Sequence, residues 1–309
     1  MLSVQKKTTI SRLVIAIGLS VAVMGASAED FASTAAKADQ GDVLAQFQVG
    51  QMYDFGDGVK QDFEKAVEWY KKAAEGGSAE AQFSLGIAYA GGDGVPQDSE
   101  AAINWHLKAA NQGLADAQLT LAQAYFDGDG VQEDKAESTK WYLLAAEQNL
   151  KSAQYGLGRA YEHGYGVEQS YNDAITWYTL AAEQDEDRAW RALASIYYEG
   201  RGAEQDYTKA AKWYKLLAEY GDAPSQTRLG LMHYYKEGVP QNHSESVKWF
   251  AKSAEQNDAV GQFALAAMYE QGDGIEQSLS KATEWYKKSC DQDYAISCKG
   301  YNKLTSAER

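Results

Sequence analysis

Residues 81–110 read AQFSLGIAYAGGDGVPQDSEAAINWHLKAA, and this pattern recurs along the chain at intervals of 36 positions. Trp105 marks the register most clearly, because seven of the eight tryptophans occupy the same place in successive copies. They are Trp69, Trp105, Trp141, Trp177, Trp213, Trp249 and Trp285. Self-similarity with a period of roughly 20–50 residues is typical of a solenoid. The repeat therefore overrides the two globular domains that a length of 309 residues alone would suggest.

The tryptophan lies in a helix, here called helix B, whose ends are marked in every copy. Seven positions before it stands a residue that caps helix N-termini well. These are Asp62, Asp98, Asp134, Ser170, Asp206, Asn242 and Ser278. Eight positions after it stands Gly, Asn or Asp, the residues that best tolerate positive φ. These are Gly77, Gly113, Asn149, Asp185, Gly221, Asn257 and Asp293.

A second helix, helix A, precedes helix B in each copy. Ala81, Leu85 and Tyr89 lie on one face of it, because residues four apart on a helix are neighbours. Gly86 recurs as Gly or Ala, and a helical glycine costs about 1 kcal/mol against alanine, so we expect a close packing contact there. A Gly-x-Gly turn such as 92–94 joins the two helices. Seven units then cover 42–293, with a capping helix at 29–41 and a capping helix and tail at 294–309.

The N-terminus has the three parts of a secretory signal peptide. Lys6, Lys7 and Arg12 precede an apolar stretch at 13–24, and Ala26-Ser27-Ala28 is a small-x-small cleavage pattern. We predict cleavage after Ala28 and a periplasmic or secreted protein without a transmembrane segment. The alternative is a membrane anchor that stays attached.

The charge balance excludes some partners. The chain has 29 Lys and Arg against 44 Asp and Glu, a net charge of −15. Nucleic-acid binding needs a basic face, and so does docking on anionic lipid. We therefore expect neither.

No pattern of catalytic residues stands out. The histidines have no metal-ligand spacing on a helix face, and no Gly-x-Ser-x-Gly elbow occurs. The four are His106, His163, His233 and His243. The acidic loop around Asp129 lacks the further ligands of a calcium site. We predict no enzyme activity, no cofactor and no metal site.

The two cysteines, Cys290 and Cys298, fall at the end of the last helix B and the start of the following helix. These places should face each other across the turn, so we predict a disulfide in an exported chain. The alternatives are a redox pair or metal ligands.

Arginines cluster in repeats 4 to 6 of a chain that otherwise uses lysine. Arg159, Arg191 and Arg228 fall on the side of helix A away from its leucines when 100° is counted per residue. Guanidinium groups bind carboxylates bidentately and stack on aromatic rings. We predict a ligand-binding groove for an anionic ligand such as a carboxylate-bearing peptide. Its residues are Arg159, His163, Trp190, Arg191, Tyr198, Arg228, Tyr234 and Tyr235. The alternative is that these arginines form surface ion pairs only.

The repeat resembles the Sel-one-like repeat (SLR) family, relatives of the tetratricopeptide repeats. The motif is carried in repeat 2 by Ala81, Leu85, Gly86, Tyr89, Gly92, Gly94, Val95, Asp98, Ala102, Trp105, Ala109 and Ala110. The resemblance implies an all-α, right-handed α-solenoid of seven 36-residue helix-turn-helix repeats with single capping helices at both ends.

The same resemblance implies an exported bacterial scaffold. Members act as adaptors in secretion, envelope regulation, signalling and host contact, so we expect a monomer that binds a protein or peptide. The alternative is a penicillin- or peptidoglycan-binding protein with weak β-lactamase-like activity. Members of that kind carry a cysteine pair in most repeats, and this chain carries one pair.

Overall fold

The computed structural model describes residues 28–307, and within this range it has sixteen helices and no strand. They are α1 (Ala28–Asp39), α2 (Val43–Phe55), α3 (Phe63–Glu75), α4 (Ala79–Gly91), α5 (Ser99–Asn111), α6 (Ala115–Asp127), α7 (Lys135–Glu147), α8 (Lys151–His163), α9 (Tyr171–Ala182), α10 (Asp187–Glu199), α11 (Tyr207–Glu219), α12 (Ala223–Tyr235), α13 (His243–Glu255), α14 (Ala259–Gln271), α15 (Leu279–Cys290) and α16 (Ala295–Ala307). The predicted signal peptide, apart from Ala28, lies outside these residues.

The helices form the seven predicted A–B pairs. The first pair is α2–α3 and the last is α14–α15. The single helix α1 precedes these pairs, and the single helix α16 follows them. The all-α repeat fold is thus confirmed. None of the sixteen helices described is both long and apolar enough to cross a membrane.

The chain divides into two compact units, each built from consecutive helix pairs. Among the described residues, the N-terminal unit holds 28–153 and 165–167, and the C-terminal unit holds 154–164 and 168–307. The boundary runs through α8. Each repeat buries its apolar face against its neighbours, as expected for repeats that cannot form a core alone.

The predicted helix ends are confirmed in every repeat. The side chains of all seven predicted N-cap residues accept a hydrogen bond from a backbone N–H in the first turn; Asp98, for example, accepts from Ala101 at 2.9 Å. All seven residues predicted to follow helix B have positive φ, from 57° at Asp185 to 100° at Gly221. These local signals therefore fix where helix B begins and where it ends.

The small residues of helix A are explained by aromatic rings of helix B. A Cβ on Gly158 would lie 2.6 Å from the Tyr178 ring, and one on Gly230 would lie 2.5 Å from Phe250. Tyr178 and Phe250 are among the most deeply buried side chains. The absence of a side chain on helix A thus lets a ring fill the space between the two helices.

The repeating tryptophans pack within the protein, and none of the seven is fully exposed to solvent. Trp141 and Trp213 are buried and the other five are half-buried. In four repeats a lysine three positions later covers the ring, as Lys72 does with its Nζ 3.6 Å from the Trp69 centroid. Such cation–π contacts are worth about 0.5–1 kcal/mol at exposed sites.

Candidate interaction surface

Successive repeats meet through a loop that reaches backward. In the second to seventh repeats, the glycine that ends the turn between helix A and helix B lies against the start of the preceding helix B. In the sixth repeat the turn begins with Lys236 instead of glycine. A Cβ on Gly94 would stand 2.2 Å from the Phe63 carbonyl oxygen, and one on Gly238 would stand 2.1 Å from that of Tyr207. Both glycines have positive φ, at 74° and 69°. The residue before this glycine is thereby held close to the preceding helix A.

These loops create paired side chains that we call the inter-repeat row. One member is a residue in the last turn of a helix A. The other lies 39 positions later and is the residue just before the glycine that ends the next turn. The pairs are Phe126 with Tyr165 (ring centroids 5.3 Å apart), Glu162 with Arg201 (2.8 Å), Tyr198 with Glu237 (3.0 Å) and Tyr234 with Asp273.

Glu162 is the most buried acidic member of the row, with 6% of its surface exposed. Its Oε1 accepts from Arg201 Nη1 at 2.8 Å, and its Oε2 accepts from the Tyr178 hydroxyl at 2.6 Å. Arg201 also donates to Ser195 Oγ at 2.8 Å. Burial, together with the Glu162 carboxylate, raises the pKa of Tyr178 far above its usual value. The Arg201 Nε also lies 2.9 Å from Glu199 Oε2. These contacts engage the guanidinium within the chain, so we interpret the group as a structural contact between repeats.

Tyr198 and Arg228 form a stacked pair on α10 and α12. The Arg228 Cζ lies 4.7 Å from the Tyr198 ring centroid, and its Nη1 lies 3.3 Å from the hydroxyl. The Tyr198 hydroxyl donates to Glu237 Oε2 at 3.0 Å. Burial and this hydrogen bond raise the pKa of Tyr198. Arg228 is half-buried, and no carboxylate within residues 28–307 lies within 4.0 Å of its guanidinium.

An aromatic cluster continues along α12. The Tyr234 ring stacks on His243 at 4.8 Å and meets Tyr235 edge-on at 4.9 Å. His243 is held by a hydrogen bond between its Nδ1 and the Asp273 carboxylate. Tyr235 is 63% exposed. A partner approaching this part of the C-terminal unit would therefore meet an exposed tyrosine that rests on ordered rings.

Arg191 is engaged with the next repeat. Its Nη1 lies 3.1 Å from both oxygens of Asp222, which also caps α12 by accepting from the Ser225 N–H. Burial alone would raise the pKa of the Asp222 carboxyl, but its bonds to Ser225 and Arg191 outweigh burial and lower it. This guanidinium already has a carboxylate partner.

The 36-residue unit matches one known family along most of the chain. The Sel1 repeat matches residues 43–78, 79–114, 115–150, 151–186, 191–222, 223–258 and 259–294. This chain belongs to the Sel1 repeat family. Sel1 repeat proteins are generally non-catalytic scaffolds for protein–protein interaction.

Solved Sel1 repeat structures agree with the assignment. The chain is 39% identical to a protective antigen present in uropathogenic Escherichia coli strains, with a TM-score of 0.80, and the match covers 86% of this chain and 57% of the antigen. A Sel1 repeat protein from Oxalobacter formigenes is 31% identical, with a TM-score of 0.67, and the match covers 89% of this chain and 80% of that protein. This chain thus spans little more than half of the E. coli antigen. A search of curated proteins gave no significant match.

The assignment of Trp190 to a ligand-binding groove is wrong. Its indole is 4% exposed, and Nε1 donates to the Ala182 carbonyl at 2.9 Å. In other Sel1 repeats of this chain a glutamine makes the same bond, as Gln226 does to Ala218 at 3.0 Å. Trp190 therefore replaces a core hydrogen-bond donor and is not available to a ligand.

The residue that contacts this position from the next repeat also differs where Trp190 replaces glutamine. In five places the glutamine accepts from a second glutamine 30 positions later, as Gln226 accepts from Gln256 at 2.8 Å. Opposite Trp190 this second place is taken by Tyr220, whose ring meets the indole edge-on at 5.7 Å. An aromatic contact thus substitutes for an amide–amide hydrogen bond.

The other predicted groove residues do not form one cluster. Tyr198 contacts Arg228, and Tyr234 contacts Tyr235, whereas Arg191 is paired with Asp222. Arg159 lies half-buried on α8, and His163, at its C-terminus, has Nε2 4.0 Å from Glu162.

Sequence reasoning missed the carboxylates that face these residues. Glu162, Glu237 and Asp273 each contact a side chain 30 or 39 positions away. The sequence does contain a signal for this contact. Comparing residues 39 positions apart pairs Glu162 with Arg201. Finding it required knowing that the Gly-x-Gly loop folds back on the preceding repeat.

The cysteine pair follows from the same Sel1 repeat geometry. Cys298 occupies the place of Gln226, whose side chain reaches back to the residue eight positions earlier. Two cysteines at these places therefore meet, and Cys290 and Cys298 are disulfide-bonded with Sγ atoms 1.98 Å apart. The bond ties the start of α16 to the end of α15. From 28 to 307, no three His, Cys, Asp or Glu are arranged to hold a metal ion.

Proposed function

We propose that this Sel1 repeat protein is an exported, monomeric scaffold that binds a protein or peptide in the bacterial envelope and serves a signalling or secretion system there. The family supports the binding role. The signal-like residues 1–28 and the disulfide support export, because disulfides persist outside the cytoplasm. The similarity to a protective antigen of E. coli also fits an exported protein.

The stacked pair of Tyr198 and Arg228 carries the proposal for the binding surface. Its guanidinium makes no ion pair with a described carboxylate and is oriented by the ring 4.7 Å away. Tyr235 adds an exposed aromatic surface on the same helix. Tyrosine and arginine are enriched among residues that dominate binding energy.

The proposed ligand is a carboxylate-bearing segment of the partner. Arg228, Tyr198, Tyr234 and Tyr235 form the centre of this surface. Arg159, His163 and Arg191 complete the proposed set on α8 and α10. Arg191 contributes least, because a ligand carboxylate would compete with Asp222 for its guanidinium.

Affinity capture from a native envelope extract tests the function. Wild-type protein should retain a stoichiometric partner, and Arg228→Ala should weaken the partner at least tenfold, because a charge-assisted hydrogen bond is worth about 1.5–3 kcal/mol. Lys215→Ala is the control for the loss of one positive charge, since Lys215 is an exposed cation of the same unit whose partner, Glu219, is also exposed. Equal capture by both variants, or no partner in any condition, would contradict the proposal.

Export has its own test. Mass spectrometry of protein purified from the native host should give a chain that begins at Glu29 and carries the disulfide. A chain that retains residues 1–28, or that is recovered from the cytoplasm with free thiols, would contradict export.

A further inference from the structure

In three repeats, the tyrosine that follows the tryptophan of helix B donates its hydroxyl to an acid on helix A. The acid lies 16 positions earlier, in the last turn of the helix A of the same repeat. The pairs are Tyr70 with Asp54 (3.1 Å), Tyr178 with Glu162 (2.6 Å) and Tyr286 with Glu270 (2.8 Å). A tyrosine hydroxyl and an accepting carboxylate thus form a recurring pair.

In two of these repeats a cation binds the second oxygen of the carboxylate. Glu162 Oε1 accepts from Arg201 Nη1 at 2.8 Å, and Glu270 Oε1 accepts from Lys303 Nζ at 2.8 Å. The carboxylate therefore lies between a hydroxyl donor on one oxygen and a cation on the other. Hydrogen bonds to an ionised acceptor are stronger than those between neutral groups.

Repeat 5 has the tyrosine without the acid. Its tyrosine is Tyr214, and the residue 16 positions earlier is Tyr198, whose own hydroxyl donates to Glu237 at 3.0 Å. The rings of Tyr214 and Tyr198 meet edge-on with centroids 6.1 Å apart. Within residues 28–307 the Tyr214 hydroxyl forms no hydrogen bond, and its oxygen is not buried from solvent. This hydroxyl is therefore available as a donor.

Arg228 supplies the cation beside this tyrosine. Its Nη1 lies 3.3 Å from the Tyr198 hydroxyl, and its guanidinium stacks on the Tyr198 ring. Burial raises the pKa of Tyr214, and the charge of Arg228 acts against that rise, so the guanidinium is close enough to influence the Tyr214 hydroxyl. Arg191 and Arg201 act in the same direction, but each is already paired with a carboxylate. Arg228 is thus the arginine of this group that has no ion pair with a described carboxylate.

We propose that Tyr214 and Arg228 together bind the side-chain carboxylate of a glutamate in the partner. One carboxylate oxygen would accept from the Tyr214 hydroxyl and the other from the Arg228 guanidinium, as the oxygens of Glu162 and Glu270 do within the chain. Glutamate is the acid in both repeats where a cation is also present. The partner thus completes a set that those repeats complete with their own residues.

The inference rests on the proposed function, since a partner supplies the glutamate, and it adds Tyr214 as a second donor at the surface around Arg228. A small-molecule probe tests the carboxylate site in the purified protein, without a partner. The two proposals can therefore fail separately.

The probe is Nα-acetyl-L-glutamic acid N-methylamide, titrated into protein whose methionine methyl groups are labelled for NMR. Met232 belongs to the buried cluster that packs against Tyr198 and Tyr214, so its methyl signal should shift saturably at millimolar probe concentrations. Met52, in the N-terminal unit, should not shift. The glutamine analogue has the same shape without the charge and should bind roughly tenfold more weakly.

Tyr214→Phe keeps the ring and removes the hydroxyl, and it should weaken binding of the glutamate probe roughly tenfold. Tyr220→Phe is the matched control, since Tyr220 is an exposed tyrosine of the same unit, and it should bind the probe like the wild type. Equal binding of the glutamate and glutamine probes would overturn the proposal, as would unchanged binding in Tyr214→Phe. So would a larger Met232 shift with inorganic phosphate than with the glutamate probe, because the site would then be a phosphate site.

Capture of the partner from an envelope extract gives a second readout. Tyr214→Phe should reduce capture as Arg228→Ala does, and Tyr220→Phe should not. Loss of the partner in Arg228→Ala with full retention in Tyr214→Phe would contradict this inference and leave the proposed function standing. Binding of the glutamate probe without any captured partner would contradict the proposed function and leave the carboxylate site standing.

Discussion

At the scale of single residues, the chain links its repeats with specific side-chain pairs. Glu162 is the clearest case. Its buried carboxylate accepts hydrogen bonds from the Tyr178 hydroxyl at 2.6 Å and from the Arg201 guanidinium at 2.8 Å. A buried charge is tolerated when it is paired and hydrogen-bonded, and removing one partner leaves its full desolvation cost. The pairs therefore specify the fit of one repeat on the next.

The hydrogen bonds of Glu162 predict that removing a single hydroxyl group lowers the stability of the protein markedly. Tyr178→Phe removes one hydroxyl and should lower the free energy of unfolding by about 2 kcal/mol, because a buried carboxylate loses a donor. Tyr214→Phe is the control, since the Tyr214 hydroxyl has no hydrogen-bond partner among the described side chains; it should cost less than about 1 kcal/mol. Urea denaturation measures both. Equal costs would contradict the role of Glu162.

His106 predicts a dependence of stability on pH. It occupies the buried aromatic place beside Gly86, is 3% exposed, and burial lowers its pKa from 6.5 to about 4. The unfolded chain therefore binds the proton more tightly, so stability is lost as pH falls from about 6.5 towards 4.

The matched variant is His106→Phe, which copies Phe250 at the same place of a later repeat. Between pH 7 and pH 4.5 the wild type should lose about 2 kcal/mol more than this variant. Urea denaturation at the two pH values measures the difference. Parallel losses in the two proteins would mean that His106 does not titrate as its burial requires.

Residue roles were predictable where they depend on one helix and not where they depend on two repeats. The N-cap of Asp98 follows from its place before helix B, and the positive φ of Gly221 from its place after it. The prediction for Trp190 was wrong because the angle of a residue around helix A does not show which neighbouring helix its side chain contacts. The Trp190 side chain reaches back to the carbonyl of Ala182 at the end of the preceding helix B. The Glu162–Arg201 pair needs the docking of a loop on the previous repeat.

At the scale of elements, the Gly-x-Gly turn is the part that sets the spacing between repeats. Gly94 combines positive φ with a backbone contact to Phe63, so both conformation and space require glycine there. The sequence predicts the turn from its two glycines. It does not predict the contact, because nothing in the turn's own residues specifies Phe63.

Two glycine substitutions separate conformation from contact. Gly94→Ala should destabilise the protein by about 3 kcal/mol, because the new Cβ would meet the Phe63 carbonyl in addition to the cost of positive φ. Gly77→Ala should cost only about 1–2 kcal/mol, because Gly77 has φ of 96° with nothing within 4 Å of a new Cβ. Similar losses of unfolding free energy in both variants would show that the loop can move away.

At the scale of the whole molecule, the chain is a Sel1 repeat protein with two compact units whose surface chemistry differs. Residues 28–307 contain five arginines, and all five lie in the C-terminal unit. The described residues of the N-terminal unit contain no arginine. We therefore expect the proposed binding of a carboxylate-bearing segment to depend on the C-terminal unit.

The most direct measurement is site-specific photo-crosslinking in the native envelope, with benzoylphenylalanine placed at Tyr235 or at Tyr220. Both tyrosines are exposed on the C-terminal unit, at 63% and 79%, but only Tyr235 lies on the proposed binding surface. Position 235 should yield a covalent adduct with one protein, which Arg228→Ala abolishes, and position 220 should yield none. No adduct at 235, or the same adducts at both positions, would contradict the account.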